Sequence, residues 1–286
     1  MTEFGPLHRI ELMLGAERVE RLRQSYVVLA GLGAVGGFTL EALARAGIGA
    51  MRLIDCDTIK PSNLNRQLLA DRETIGRKKT LVAAERIARI NPDCRVETLD
   101  LLINAASIPE VFTFPERSPD LIIDAIDSLG PKVDLIAAAV ERGIPVFSSM
   151  GAALRTDLTQ IHFGRLTEVT HCPLSAMLRK RLRRRGVDTD AVLCVWSSEP
   201  VRSETRSGLL SGAYLAPEDS EDEKPEQGRR RSTLGSLPTI PPVFGLYLAH
   251  EAIRQLAGRE ARPRGSAPFL RPTGSAPFLR FRAESK

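Results

Sequence analysis

The stretch Tyr26-Val27-Val28-Leu29-Ala30-Gly31-Leu32-Gly33-Ala34-Val35-Gly36 decides the fold of this chain. An apolar run long enough for one buried strand leads into three glycines with the spacing G-x-G-x-x-G, and Gly37 to Ala46 then has a helix-like pattern. A second apolar run ends at Leu53-Ile54-Asp55. The order of strand, glycine turn, helix and strand predicts a nucleotide-binding β-α-β unit.

Each glycine of the motif has its own physical reason. Gly31 allows a tight turn after the strand, Gly33 lets backbone approach a phosphate, and Gly36 lets the helix pack closely on the strand. Amides at the helix N-terminus then face an anion, with the helix dipole behind them. Asp55 is placed to bind ribose hydroxyls. The alternative is a glycine-rich turn beside an ordinary aspartate, and the motif alone does not distinguish NAD, FAD, S-adenosylmethionine and ATP.

Strands and helices continue to alternate as far as residue 150. Further strands are predicted at Arg95–Leu99, Leu121–Asp127 and Pro145–Ser149, and helices at Gly76–Ile90 and from Pro131 to Arg142. This alternation predicts an α/β fold with a doubly wound, mostly parallel, Rossmann-like sheet. The later part of the chain is less regular and predicts a smaller C-terminal extension.

The domain organisation predicted from these patterns has three parts. A nucleotide-binding domain is expected over residues 1–165, a substrate-side extension over 166–260, and a disordered tail over 261–286. Within the extension, residues 202–233 are charged and poor in apolar side chains, which predicts a mobile loop. An apolar helix is predicted to return over 241–257. A seven-residue unit occurs twice in the tail, over 265–280, which is too little for a solenoid.

The composition excludes several classes of protein. A chain of 286 residues with 43% hydrophobic residues is typical of a globular protein. Its apolar runs are all shorter than the ~20 residues that a membrane helix needs, and Met1 to Glu20 has no signal-peptide core, so a cytoplasmic protein without membrane contact is predicted. The four cysteines form no C-x-x-C pair, which argues against a zinc site and against structural disulfides.

The formal net charge of +5 is unevenly distributed along the chain. A basic run on a predicted helix consists of Arg179, Lys180, Arg181, Arg183, Arg184 and Arg185. A second basic cluster lies at Arg229-Arg230-Arg231, with an acidic run between the two. Such runs are either solvated helix faces or surfaces that contact nucleic-acid phosphates.

Polar residues gather at the expected carboxyl edge of the sheet: Asp55, Asp57, Asn63, Arg66, Gln67, Lys79 and Asp127. Hydride transfer to a dinucleotide needs no cations there, whereas adenylation does, because charge moves onto the α-phosphate and the departing pyrophosphate. Arginine and lysine stabilise that charge, and a carboxylate holds Mg²⁺ against the phosphates, for which Asp127 is well placed. The alternative is that Arg66 and Lys79 form surface salt bridges with Asp55 and Asp57.

Several motifs together resemble the ubiquitin-activating-enzyme-like (ThiF/MoeB/HesA) superfamily, which includes the bacterial sulfur-carrier adenylyltransferases. They are the glycine motif, Ile54-Asp55-Cys56-Asp57, Ser62-Asn63-Leu64-Asn65-Arg66-Gln67, Gly76-x-x-Lys79 and Ile90-Asn91-Pro92. Within it the chain is most similar to the tRNA threonylcarbamoyladenosine dehydratase branch, through Arg9-x-Glu11-Leu12, Ile123–Ser128 with Pro131-Lys132, Asp157-x-Thr159-Gln160-Ile161 and Trp196–Pro200. Gly37 departs from that branch, which often has serine there.

The resemblance implies roles at the matching positions, and it makes residues 1–165 an ATP-binding adenylating domain. Asp55 would hold the ATP ribose, and Asp127 would bind Mg²⁺. The implied ATP-binding set is Gly31, Gly33, Gly36, Asp55, Asp57, Asn63, Arg66, Gln67 and Lys79. The implied catalytic set is Arg66, Lys79, Asp127 and Arg9, with Arg9 supplied across a homodimer interface.

The resemblance also implies a reaction, its substrates and its partners. The threonyl carboxylate of threonylcarbamoyladenosine in tRNA would be activated by ATP as an acyl-adenylate. The neighbouring carbamoyl group would then close a ring, with release of AMP and pyrophosphate and overall loss of water. ATP and Mg²⁺ are expected and zinc is not. A tRNA substrate, contacted by the basic run at 179–185, a homodimer and a sulfur-transfer partner protein complete the prediction.

Three other functions stay open at the level of sequence. Adenylation of the C-terminal carboxylate of a ubiquitin-like or sulfur-carrier protein is the first, although the paired C-x-x-C zinc ligands typical of the sulfur-carrier enzymes are missing and residues 200–233 contain no cysteine for a thioester. An NAD(P)-dependent oxidoreductase is the second, and Arg66 and Lys79 speak against it. A nucleotide-binding regulator without turnover is the third.

Overall fold

The computed structural model describes residues 5–113, 117–201 and 234–258. In these residues the strands are β1 (Tyr26–Ala30), β2 (Ala50–Ile54), β3 (Arg95–Leu99), β4 (Leu121–Asp124), β5 (Val146–Ser149), β6 (Ile161–Arg165) and β7 (Val192–Ser197). The helices are α1 (His8–Leu14), α2 (Ala16–Gln24), α3 (Gly36–Arg45), α4 (Lys79–Ile90), α5 (Ile108–Val111), α6 (Leu129–Glu141), α7 (Pro173–Arg184) and α8 (Ile240–Leu256).

The strands form one seven-stranded sheet in the order β3-β2-β1-β4-β5-β7-β6. All neighbouring pairs are parallel except β6 and β7, which are antiparallel. Helices cover both faces of the sheet, as a mostly parallel sheet requires. The predicted doubly wound, Rossmann-like α/β fold is therefore confirmed.

Alternate residues of β1 explain why the strand is apolar throughout. Val27 and Leu29 belong to a core that includes Leu40 of α3 and Phe244 of α8. Val28 and its neighbours on the other face join a second core, with residues of α6 and α7. Successive side chains of a strand point to opposite faces. A strand buried on both faces therefore has no polar position, which is why the run 26–30 could be identified without a period-2 pattern.

The order of the strands fixes where a ligand can bind. The chain builds β1, β2 and β3 outward in one direction and then returns to place β4 on the other side of β1. This reversal opens a crevice at the carboxyl ends of β1 and β4, where open α/β sheets bind their ligands. The glycine turn after β1 and the loop after β4 both lie there.

The later part of the chain contributes directly to this architecture. β7 lies inside the sheet, between β5 and β6, and α8 packs against α3. A Cβ on Gly245 would stand 2.3 Å from Val35 O, and Thr39 Oγ1 donates to Gly245 O at 3.0 Å. The return helix thus supports the start of the helix that follows the glycine turn. The predicted loop 202–233 and tail 261–286 lie outside the described residues, and the boundary at residue 165 stays a prediction.

A helix that crosses a membrane must be both long and apolar. In the described ranges, each helix is too short or too polar to cross a bilayer.

Candidate nucleotide-binding site

The glycine turn is packed so closely that side chains are excluded from it. Gly31 has a φ of 89°, and a Cβ there would stand 2.7 Å from Ala125 O in the loop after β4. A Cβ on Gly36 would stand 1.8 Å from Gly31 O. The residue before α3, Val35, provides no side-chain cap. Gly37 N donates to Gly33 O at 3.0 Å, and the other amides of the first turn of α3 are left for an anion at the helix N-terminus.

Asp55 connects the glycine turn to the segment after β2. Its Oδ2 accepts from Leu32 N at 2.6 Å, and its Oδ1 accepts from Asp57 N at 2.8 Å. Burial raises the pKa of Asp55, against the lowering effects of Lys79 and of these two amides. A carboxylate has about four lone-pair sites. Acceptor capacity therefore remains for hydroxyl groups of a ribose.

Lys79 contacts both carboxylates of the segment after β2. Its Nζ lies 2.8 Å from Asp57 Oδ2 and 3.9 Å from Asp55 Oδ1. The pairing that the alternative interpretation expects for Lys79 is therefore present, but it is only partly at the surface, since the Lys79 side chain is 6% exposed and that of Asp57 is 55% exposed. Lys79 is also the first residue of α4, where the helix dipole disfavours a positive charge. The two carboxylates hold it there.

The loop between β2 and α4 carries the remaining polar candidates. Asn63 is buried, and its Oδ1 accepts from Lys60 N at 3.0 Å, while its carbonyl accepts from Arg66 N and Gln67 N. The Arg66 guanidinium donates to Ser62 O and Asn65 Oδ1, and not to the carboxylates that bind Lys79. Arg66 and Lys79, which the sequence placed at the same edge of the sheet, thus have different partners in the structure.

Gln67 faces the glycine turn and has an unused acceptor. Its Nε2 lies 3.9 Å from the position that a Cβ on Gly33 would take. Its Oε1 is buried and has no hydrogen-bond partner among the described residues. A buried amide oxygen without a partner is uncommon in folded proteins. A hydroxyl or amine of a bound nucleotide would satisfy it.

Carboxylates that could hold Mg²⁺ lie at two places, in the segment 55–57 and at Asp127. Asp55, Cys56 and Asp57 bring their ligand atoms within 4.8 Å of one another. A thiol is a soft ligand, and both carboxylates already contact Lys79, so this group does not suit Mg²⁺. Asp127 is exposed in the loop after β4, and the Ser128 hydroxyl donates to its Oδ1 at 3.0 Å. An exposed carboxylate at this edge of the sheet fits Mg²⁺, which keeps waters and binds phosphate oxygens.

The other predicted residues lie on separate elements. Arg9 is exposed on α1, a helix without a buried residue. In α7, Arg179 donates to Leu166 O and Val169 O, so its guanidinium stabilises a loop. Arg185 pairs with Asp134 at 2.7 Å. The other members of the basic run are exposed to solvent: Lys180, Arg181, Arg183 and Arg184.

Sequence reasoning missed one polar group close to this site. Lys132, near the start of α6, is fully buried and donates to Asp124 at the end of β4. A lysine is usually assigned to a solvated face, but helical spacing places Lys132 in line with the buried apolar residues Leu135, Ile136 and Ala139. The motif Pro131-Lys132, which carries part of the resemblance, is the signal in the sequence that could have pointed to Lys132.

The crevice and its residues define a nucleotide-binding α/β protein with a phosphate-facing glycine turn. The chain belongs to the ThiF family, whose profile matches residues 7–284. Among curated proteins it is 31% identical over 261 residues to the tRNA threonylcarbamoyladenosine dehydratase of Escherichia coli, covering 87% of this chain and 92% of that one. The predicted family is confirmed.

Two further comparisons bear on the site. The crystal structure of the Escherichia coli tRNA N6-threonylcarbamoyladenosine dehydratase in complex with ATP superposes with a TM-score of 0.72 at 29% identity, covering 89% of this chain and 97% of that one. A sulfur carrier protein adenylyltransferase of Thermus thermophilus is 35% identical over 146 residues, but this covers 50% of this chain and 52% of that one. The similarity to the dehydratase thus extends over nearly the whole chain.

Proposed function

We propose that this protein is an ATP-dependent enzyme that dehydrates threonylcarbamoyladenosine in tRNA to its cyclic form through an acyl-adenylate. The observation that carries this proposal is the similarity to a dehydratase of that name over 87% of the chain, whereas the sulfur-carrier relative matches 50% of it. The glycine turn, Asp55 and Lys79 supply the ATP-binding chemistry that such a reaction requires.

The proposed reaction has two steps. The threonyl carboxylate attacks the α-phosphorus of ATP, and the bond to the leaving pyrophosphate breaks. The carbamoyl group then attacks the activated acyl carbon, the ring closes, and AMP leaves with the oxygen that the carboxylate contributed. Lys79 and Arg66 stabilise the charge that grows on the phosphates, Asp55 holds the ribose, and Gly31, Gly33 and Gly36 let the phosphates approach the backbone.

Magnesium is part of the proposal and zinc is not. Asp127 would hold Mg²⁺ beside the phosphates, and the ion would supply positive charge for the pyrophosphate leaving group. Asn63 holds the loop between β2 and α4 in place, and Asp57 holds the Lys79 ammonium. Gln67 would accept a hydrogen bond from the nucleotide with its buried Oε1. The protein's own contribution at this point is the position of the Asp127 carboxylate at the carboxyl edge of the sheet.

Incubation of the protein with ATP, Mg²⁺ and threonylcarbamoyl-modified tRNA is expected to yield an adenosine lighter by one water, seen by nucleoside mass spectrometry after mild work-up. Asp127→Ala is expected to lower its rate of formation about 100-fold, because charge on the phosphates loses its metal. Asp100→Ala, which removes an exposed carboxylate paired with Lys78, is the control and should leave the rate nearly unchanged. Product that forms without ATP, or equally fast in Asp127→Ala, would contradict the proposal.

Binding of tRNA is proposed for the exposed part of the basic run. Lys180, Arg181, Arg183 and Arg184 extend into solvent from α7, and neutralisation of phosphates by such residues supplies RNA affinity. Arg179 and Arg185 were in the predicted set as well, but their guanidinium groups bind protein acceptors. We therefore assign the tRNA contact to the four exposed residues and a structural part to the other two.

The triple charge reversal Arg181→Glu, Arg183→Glu and Arg184→Glu is expected to weaken tRNA binding more than 10-fold and to lower the slope of log affinity against log salt by about three. The matched control, Arg23→Glu, Arg45→Glu and Arg89→Glu, changes the net charge equally at exposed sites on other helices. Binding titrations at several salt concentrations measure both. Equal losses in the two triple variants would mean that net charge, and not α7, governs the interaction.

A homodimer, a cytoplasmic location and a division into residues 1–165 and 166–260 belong to the proposal too. Arg9 lies exposed on α1, from which it would reach the ATP of a partner subunit. A sulfur-transfer protein is a proposed partner. The second candidate function is adenylation of the C-terminal carboxylate of a ubiquitin-like or sulfur-carrier protein, favoured by the half-chain similarity to the Thermus thermophilus enzyme. ATP–pyrophosphate exchange that needs such a protein and no tRNA would select it.

A further inference from the structure

A buried polar network joins the ends of β4 and β5 to α6. The Lys132 ammonium donates to Asp124 Oδ2 at 2.5 Å, to Ser148 Oγ at 3.2 Å and to Ser149 O at 3.0 Å. Ser148 Oγ donates in turn to Asp124 Oδ2 at 2.6 Å. Lys132, Asp124 and Ser148 are fully buried. A lysine ammonium has three donors, and all of them are used here.

Stability alone does not account for this network. Removing two charges from water costs free energy that their attraction repays only in part, and apolar residues of similar volume often stabilise a core as well or better. What a fully bonded polar network provides is a defined geometry, since each donor must point at its own acceptor. The network therefore fixes the geometry of the segments that it joins.

The segment with both ends held by the network is the loop that carries Asp127. Asp124 is the last residue of β4, and Lys132 follows the loop near the start of α6. The other oxygen of the same carboxylate, Asp124 Oδ1, accepts from Ile126 N at 3.1 Å within the loop. The buried Asp124 carboxylate thus holds the loop at two points. Its Oδ1 binds the loop backbone at Ile126, and its Oδ2 binds Lys132, which follows the loop.

The same loop packs directly on the glycine turn. Ala125 N donates to Ala30 O at 2.8 Å, and the hypothetical Cβ of Gly31 would meet Ala125 O at 2.7 Å and Ile126 N at 3.0 Å. There is no space between the two backbones for either to move independently. A displacement of the loop after β4 would consequently move Asp127 with respect to the backbone that faces the phosphates.

We propose that Lys132, with Asp124 and Ser148, is a positioning residue that holds the loop 125–128 on the glycine turn and so places the Asp127 carboxylate where it would hold Mg²⁺ for the nucleotide phosphates. This inference rests on the proposed ATP- and Mg²⁺-dependent function. It assigns a role in that function to residues that contact neither nucleotide nor metal. Partners behind a metal-binding carboxylate commonly change metal affinity about 10–100-fold when they are removed.

The test uses the full-length double variant Lys132→Met/Asp124→Asn, which removes both charges together and keeps an acceptor for Ile126 N. ATP affinity is measured by calorimetry with Mg²⁺ and in its absence. The expected result is an affinity for ATP alone close to that of the wild type and an affinity with Mg²⁺ about tenfold lower. Added to Asp127→Ala, the double variant should cause no further loss, because both act through the same carboxylate.

The control is Arg52→Met/Glu97→Gln, which removes a buried ion pair of β2 and β3 with a 2.9 Å contact. It should lower the unfolding temperature without changing the effect of Mg²⁺ on ATP affinity. Should the network variant not fold, Ser148→Ala, which deletes one hydroxyl, must show the same loss in smaller measure. An unchanged Mg²⁺ effect in the folded variants, or losses that add to those of Asp127→Ala, would overturn the positioning role alone. A wild-type protein that does not bind ATP would overturn the proposed function itself.

Discussion

Lys79→Met is expected to lower the rate of the ATP-dependent dehydration about 10²–10³-fold, the usual cost of removing one preorganised charge that stabilises a transition state. Methionine keeps most of the volume of a side chain that is 6% exposed, so the core around it is preserved. The ammonium is lost from between Asp55 and Asp57. Two carboxylates without their cation would then face the incoming phosphates. Single-turnover rates and the Kd of ATP measure the effect.

Lys78→Met is the matched control for this prediction. Lys78 is the adjacent residue, is 41% exposed, and pairs with Asp100 at 3.0 Å on the surface. Exposed pairs of this kind contribute little free energy. The variant should therefore retain the wild-type rate within about twofold. Equal losses in the two variants would show that the rate depends on the charge of the segment in general, and the assignment of Lys79 to the phosphates would fail.

Local patterns predicted the elements that carry the site because the fold obeys short-range rules there. The structure places β1 at Tyr26–Ala30 and β3 at Arg95–Leu99, the ranges expected from an apolar run before glycines and from alternation. The helix after the glycine turn begins at Gly36, one residue before the predicted start. Parallel strands end at one edge of a sheet, so the sequence also predicted that the polar residues after β2 and β4 lie at the edge of the glycine turn after β1.

The partners of charged side chains could not be predicted in the same way. Lys132 lies in register with the buried apolar residues Leu135 and Ile136 of its helix, but the acceptors that make a buried lysine possible come from β4 and β5. Arg179 stands within a basic run, yet its acceptors are carbonyls of a preceding loop. Lys79 does pair with Asp55 and Asp57, as the alternative expected, but the path of the chain after β2 buries its ammonium, which the alternative did not expect. Each outcome depends on contacts between segments that are distant in sequence.

The position of β7 is a further feature that local patterns did not contain. The run Ala191–Trp196 is apolar and strand-like, but nothing in it indicates insertion between β5 and β6. The insertion makes β6 an edge strand that runs antiparallel to β7. The segment Trp196–Pro200, which resembles the dehydratase branch, therefore leaves the sheet at the same carboxyl edge as the glycine turn and Asp127. The segment Trp196–Pro200, to which the resemblance assigns no role, thus lies at the edge of the sheet that carries the proposed site.

Gly36→Ala is expected to weaken ATP binding about 100-fold, which is the cost of misplacing binding groups by about 1 Å. A Cβ on Gly36 would lie 1.8 Å from Gly31 O and 3.4 Å from Ala125 Cβ. Both neighbours belong to tightly packed backbone, so the turn itself must shift. Amides that face the phosphates would shift with it. Calorimetric titration with ATP measures the loss, and thermal unfolding reports whether the fold is retained.

Gly37→Ala is the adjacent control and is expected to act in the opposite direction. A Cβ there would meet Leu68 Cβ at 3.4 Å, an ordinary contact, and the residue lies within α3. Alanine in a helix is favoured over glycine by about 0.8–1.0 kcal/mol. That gain should raise the unfolding temperature by roughly 2 °C while ATP affinity stays unchanged. If Gly37→Ala weakened ATP binding as much as Gly36→Ala, loss of glycine flexibility in general would explain both, and the close approach of Gly36 to Gly31 would lose its part in forming the phosphate site.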